Sequence, residues 1–103
     1  MHAVTNRVFV HPDWHKEFEQ RFQKRAGQID KQNGFKRMQI LRPCSDDAPY
    51  LVYTEWENED AFKSWVGSED FKIAHQNPMP EEAFSGKGGL EQHTVIISTE
   101  KAN

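Results

Sequence analysis

Trp14, Phe18, Phe22, Ala26 and Ile29 recur at spacings of four, four, four and three residues, the period of one face of an α-helix. Lys16, Glu17, Gln20, Lys24 and Gln28 fall between them, so the opposite face is polar. A helix with so bulky an apolar stripe must bury it against a second layer, and the flanking segments say which. Residues 3–10, AVTNRVFV, alternate imperfectly and are rich in β-branched and aromatic side chains, which is the composition of a strand. Pro12 and Asp13 suit a first helical turn, and the Asn33-Gly34 pair predicts a helix end near Lys31. The stripe therefore demands a sheet.

The rest of the chain supplies one. Residues 35–43 read as a second strand stopped by Pro43, CSDDAP as a polar turn, and YLVYTEW (Tyr50–Trp56) as a third strand antiparallel to the second. Asn58 can cap a short helix whose inner side holds Ala61, Phe62, Trp65 and Val66, and Gly67 breaks it. Ser68 can cap another, EDFKIAH, with Glu69 and Asp70 at its positive end. Two prolines and three glycines make residues 76–89 a long loop with one turn of helix at most, and LEQHTVIIST closes the chain as a last strand. The order β-α-β-β-α-(α)-β predicts a single α+β domain over residues 1–103. Its expected topology is ferredoxin-like, with an antiparallel sheet covered by helices on one face. The other face is expected to carry exposed Phe, Met, Ile and Val side chains and to join a second copy, giving a homodimer. Met38, Ile40, Tyr53, Val95 and Ile97 are candidates for that contact, although strand alternation leaves open which parity faces the partner.

Composition narrows the function. A formal net charge of -3 offers no concentrated basic surface for nucleic acid. Cys44 is the sole cysteine, which excludes an internal disulfide and a thiolate metal cluster. No apolar run approaches a membrane span, and the N-terminal residues lack the pattern of a signal peptide, so a cytoplasmic protein is expected.

General catalytic motifs are missing: no glycine-rich phosphate loop, no His-Glu-x-x-His, no nucleophile elbow. The five histidines do not cluster by spacing; His11 and His15 are four apart, but Pro12 intervenes. Lys24, Arg25 and Lys31 make a modest positive surface near the end of the long helix, able to meet a carboxylate or simply to face solvent. His75 closes a short helix, where a histidine can serve the last carbonyls and the helix dipole as well as a ligand. Trp65 reads by default as core, with the wall of a cavity as the alternative. Asn6 is an anomaly, a polar residue that strand propensity disfavours.

Several segments together resemble a known family. TNRVFV, EFEQRFQKRAG, NGFKRMQILRP, YLVYTEWENEDAFKSWVGSEDFKIAH and LEQHTVI, covering the chain from Asn6 to Ile97, are similar to the antibiotic-biosynthesis-monooxygenase domain. Within it they resemble the haem-degrading monooxygenases of staphylococcal and mycobacterial type. That branch is marked by an Asn on the first strand, a Trp in the second helical segment and a His after it, matched here by Asn6, Trp65 and His75. The resemblance implies a dimeric α/β barrel that binds haem as substrate and cofactor and cleaves it with O2. Electrons would come from an external reductase or a small reductant, because the chain has no flavin or nicotinamide motif. It implies His75 as the axial ligand of haem iron, Asn6 as a distal hydrogen-bond donor, and Trp65 as a wedge that ruffles the macrocycle. Phe22, Phe71 and Arg25 join these three as haem-binding candidates. Two other readings compete: a haem-free monooxygenase of the same superfamily acting on a quinol or aromatic polyketide, and a haem-binding protein without turnover.

Overall fold

A computed structural model describes residues 1–24 and 27–102. Four strands, β1 (His2–Val8), β2 (Phe35–Leu41), β3 (Tyr50–Trp56) and β4 (Gly89–Thr94), form one sheet in the order β2-β3-β1-β4, with every neighbouring pair antiparallel. Between them come the helices α1 (His15–Lys24), α2 (Glu59–Val66) and α3 (Glu69–Ala74). Strands one and three are central and each is followed by helix or by a strand-helix return, which is the expected α+β, ferredoxin-like arrangement. No described helix is long and apolar enough to cross a membrane.

Even-numbered residues of β1 and β3 point at the helices. Val4 and Trp56 pack with Trp65 in one buried cluster, and Tyr50 packs with Val10, Phe18, Met79 and Ala83 in the other. Odd-numbered residues form the uncovered face. There Tyr53 donates its hydroxyl proton to Glu55 at 2.8 Å, and Arg37 lies 3.6 Å from the same carboxylate. The expectation of an apolar open face with Met38 and Ile40 on it is corrected. An irregularity between Phe35 and Arg37 shifts the register of β2, so Met38 lines the helix-side cleft and Ile40 packs on the core with Phe18 and Tyr50. Of the remaining candidates, Tyr53 belongs to the open face, whereas Val95 and Ile97 lie beyond the last strand. β4 stops at Thr94 because its partner β1 begins at His2, directly opposite, and past that point only the Val95 N–H still finds the Met1 carbonyl at 2.9 Å.

Two other boundaries differ from expectation. β1 ends at Val8, and residues 9–11 bend toward the loop before β4: Val10 bridges Phe84, and the His11 N–H donates to the Ala83 carbonyl at 2.7 Å. The first helix was expected to run to Lys31. Instead a 3-10 turn (Pro12–Trp14) leads into α1, Gly27 takes a φ of 119° outside the helical region, and Ile29–Lys31 forms a separate 3-10 turn. Ala26 of the stripe lies outside the described residues.

The corner between α2 and α3 is built by local chemistry. Asn58 Oδ1 accepts from the Ala61 N–H at 2.9 Å and caps α2. Gly67 ends that helix, and Ser68 Oγ then donates to the Trp65 carbonyl at 2.6 Å while accepting from the Phe71 N–H at 3.1 Å. One hydroxyl thus closes α2 and opens α3. It fixes the direction in which Trp65 and His75 are presented.

Candidate functional site

Between the sheet and these helices lies a cleft of about 320 Å³. β1 contributes Val4, Asn6 and Val8, α1 contributes Phe18, Arg21 and Phe22, and α2 and α3 contribute Trp65, Phe71 and His75. The segment after α3 adds Pro78, Met79 and Phe84. Asn6, Phe22, Trp65, Phe71 and His75, far apart in sequence, therefore meet in one cavity. Arg25 lies outside the described residues.

Asn6 is held from both sides, opposite Val52 on β3 and Leu90 on β4. Its side chain emerges from the middle of the sheet into the cleft, which accounts for a polar residue between Val4 and Val8 on that strand face. Trp65 is buried, with its ring 5.4 Å from that of Phe71 in an edge-on contact. Phe22 meets Phe18 edge-on at 5.1 Å. Most of the wall is aromatic or aliphatic, a surface suited to a flat apolar ligand.

His75 brings an imidazole to the cleft. It is the C-terminal cap of α3, its ring stacks on Phe71 at 4.1 Å, and its Nδ1 lies 2.8 Å from the Phe71 carbonyl oxygen. A carbonyl only accepts, so Nδ1 carries the proton and Nε2 of the neutral ring keeps its lone pair. A backbone acceptor behind an imidazole is the usual arrangement for fixing the tautomer of a metal-ligating histidine. Among the described residues no group of three or more His, Cys, Asp or Glu side chains could hold a metal ion. A single imidazole suits a macrocycle that brings its own four donors. Of the five histidines, His75 alone lines the cleft; His15 Nε2 is engaged with the Val10 carbonyl at 3.0 Å, and His2 Nε2 with Gln92 Oε1 at 2.9 Å.

Residue-by-residue reading missed Arg21. Its guanidinium lines the cleft, donates to the Asn77 carbonyl and lies 3.7 Å from Glu17. The available signal was its place three residues after Phe18 and immediately before Phe22, at the margin of the stripe. Phe84 was also missed, because a Pro/Gly-rich loop gives no periodicity to read, and so was Leu90, because strand alternation leaves open which parity faces the helices.

A second polar group stands apart from the cleft. Glu19 receives two hydrogen bonds from Arg42, at 2.8 and 2.5 Å, and one from the buried Tyr50 hydroxyl. Arg42 foremost and Tyr50 next lower the Glu19 carboxyl to about 2, while burial first and Glu19 second push the Tyr50 phenol up to about 12. The group ties α1 to the β2-β3 hairpin and so holds Phe18, Arg21 and Phe22 over the sheet.

Residues 1–77 match the family model described as antibiotic biosynthesis monooxygenase. The chain belongs to the antibiotic biosynthesis monooxygenase family. Among the family's curated relatives, the staphylobilin-producing haem oxygenase of Staphylococcus epidermidis is 37% identical over 79 residues, 75% of either chain. The mycobilin-producing haem oxygenase of Mycobacterium tuberculosis is 32% identical over 80 residues, 78% of this chain and 75% of that one. A solved structure of the haem-degrader of M. tuberculosis, with two haems in its active site, superposes with a TM-score of 0.80 at 27% identity, covering 97% of this chain and all (100%) of that one. A cofactor-independent oxygenase from Streptomyces nogalater superposes at 0.75 with 25% identity, over 97% of each chain. The family fold thus serves both haem-dependent and cofactor-independent oxygenases.

Proposed function

We propose that this family member is a haem-degrading monooxygenase, one domain over residues 1–103, that binds haem in the cleft and cleaves its porphyrin with O2, releasing iron. The observation that carries the reading is the oriented imidazole of His75 in an aromatic cleft, with its Nε2 lone pair available. The haem-oxygenase relatives support it. Bound haem supplies a redox-active iron and an oxidisable macrocycle. His75 would hold the haem iron through Nε2, with its Nδ1–H···O=C bond to Phe71 fixing the ring's orientation. Asn6 would present its amide in the cleft as a donor to an atom that gains negative charge. Trp65 would set its indole against the bound ring, and Phe22 and Phe71 would exclude water. Arg21 would offer its guanidinium to a propionate, and Arg25 is a further candidate for the same task. Electrons come from an external reductase or small reductant, the enzyme acts in the cytoplasm, and two copies pair through the open faces of their sheets, with one cleft in each subunit.

The cofactor-independent neighbour gives one specific ground for a second reading, a haem-free monooxygenase acting on a quinol or aromatic polyketide. A third is haem binding without turnover. Haem titration followed by a reductant and O2 separates all three. The proposed function predicts a saturable Soret band, then its loss with release of iron. His75→Ala should abolish the histidine-ligated Soret and resonance-Raman signature, and an unchanged iron-ligand spectrum would overturn the assignment.

A further inference from the structure

Behind Trp65 lies a second indole. The rings of Trp56 and Trp65 are 6.4 Å apart between centroids and 27° from parallel. Trp56 is fully buried and does not line the cleft, and its indole N–H donates to Thr54 Oγ1 at 3.0 Å. Phe35 and Phe62 flank it, with ring centroids at 5.3 and 6.0 Å. From the cleft inward the rings run His75, Phe71, Trp65, Trp56, at successive separations of 4.1, 5.4 and 6.4 Å.

Core packing accounts for one buried tryptophan here. It does not require two stacked indoles, one in the wall of an oxidising site and the other sealed from water. An indole gives up an electron far more readily than a phenyl or neutral imidazole ring, so of these four rings only the two tryptophans can carry a positive hole. A hole on Trp65 faces the ligand and dioxygen, where indole oxidation is irreversible. A hole on Trp56 faces neither. Phe35 and Phe62, inclined to its ring at 71° and 60°, help to seal that hole from water.

We propose that Trp65 and Trp56 form a one-electron relay that draws oxidising equivalents out of the cleft when the external electron donor is lacking. The relay rests on the haem reading above. Its oxidant is hydrogen peroxide, which takes up two electrons and two protons from solvent and becomes two waters. Haem supplies one electron and Trp65 the other. Trp56 then reduces the Trp65 radical cation, so Trp65 is restored and the hole resides on Trp56. Trp56 keeps its N–H proton, because the neighbouring Thr54 hydroxyl is a far weaker base than a carboxylate. Two later electrons from the external donor return haem and Trp56 to their resting states.

The test uses haem-loaded protein mixed with one equivalent of hydrogen peroxide without reductant. Freeze-quenched samples are read by electron paramagnetic resonance, with ring-deuterated tryptophan to identify the radical, and oxidised tryptophans are located by peptide mass spectrometry. The parent should give a tryptophan radical and little oxidised Trp65. Trp56→Phe should lower the radical yield and raise oxidised Trp65, each by about tenfold, a factor of ten in partition corresponding to about 1.4 kcal/mol. Trp65→Phe, which keeps a ring in the wall, provides an independent break and should also prevent a hole from reaching Trp56. A normal haem titration followed by no tryptophan radical, or by a radical indifferent to both substitutions, overturns the relay alone. Absence of saturable haem binding overturns the haem reading and the relay with it.

Discussion

Gly34 sets how closely the start of β2 can lie against α2. Its φ is 81°, its carbonyl accepts from the Glu57 N–H at 2.7 Å, and a methyl group on it would lie 2.6 Å from Ala61 Cβ. Neither methyl carbon has a rotamer by which to escape. Holding an L-residue in left-handed backbone costs about 1–2 kcal/mol, and overpacking of this kind adds about 1–3 kcal/mol. Gly34→Ala should therefore lower the unfolding free energy by about 2–5 kcal/mol. Gly27 separates the two contributions, because its φ is 119° but nothing among the described residues lies within 4 Å of an added methyl. Gly27→Ala should show the backbone cost alone, about 1–2 kcal/mol. Adding Ala61→Gly to Gly34→Ala removes the contact, so the double-mutant cycle should give a coupling of about 1–3 kcal/mol. Urea unfolding followed by tryptophan fluorescence and circular dichroism measures the parent, the three single variants and the double variant. An outward shift of α2 would relieve the contact and carry Trp65 with it, so haem affinity should fall alongside stability. A Gly34→Ala cost no larger than that of Gly27→Ala, with no coupling to Ala61, would refute the reasoning.

Asn6→Ala should leave most haem affinity but slow single-turnover haem loss by about 100-fold, the pattern of a donor that acts mainly in the reacting state. A parental rate would remove Asn6 from the mechanism. In the same assay Trp65→Phe should retain far more activity than Trp65→Ala, and equal rates in the two would end the wedge argument. Glu19, held at about 2 by Arg42 and Tyr50 against an ordinary 4.5, contributes stability that is complete above 4.5 and lost as pH falls toward 2. Urea midpoints for Glu19→Gln should therefore drop relative to the parent at neutral pH and converge with it in acid; parallel pH curves would show that the carboxylate's ionisation is irrelevant. Sedimentation equilibrium at micromolar concentration should return a dimer, and a species of 12.0 kDa would count against sheet-to-sheet pairing.

Reading the site from the residues alone reached Asn6 as an anomaly, Trp65 as wall or core, and His75 as cap or ligand. Only the match of whole motifs to a family joined the three. Each is individually ambiguous because its neighbours in space come from other elements: Asn6 from β1, Trp65 from α2, His75 from the end of α3. Arg21 shows the reverse problem. A charged residue at the margin of an apolar stripe usually faces solvent, and it joins the cleft here because the chain after α3 returns to give it the Asn77 carbonyl.

By itself the sequence determined what depends on neighbours a few residues away. The stripe through Phe18 and Phe22, the Asn58 and Ser68 caps, the break at Gly67 and the third strand at Tyr50–Trp56 all follow from helical period, strand alternation and side-chain bonds to adjacent N–H groups. Tertiary structure decided what depends on partners dozens of residues distant. The irregularity between Phe35 and Arg37 turned Met38 and Ile40 toward the helices, and the start of β1 at His2 ended β4 at Thr94. Packing of α2 on β3 stacked Trp65 on Trp56. Strand parity, strand ends and ring contacts are set by which backbone groups and surfaces lie opposite one another, and no local period carries that information.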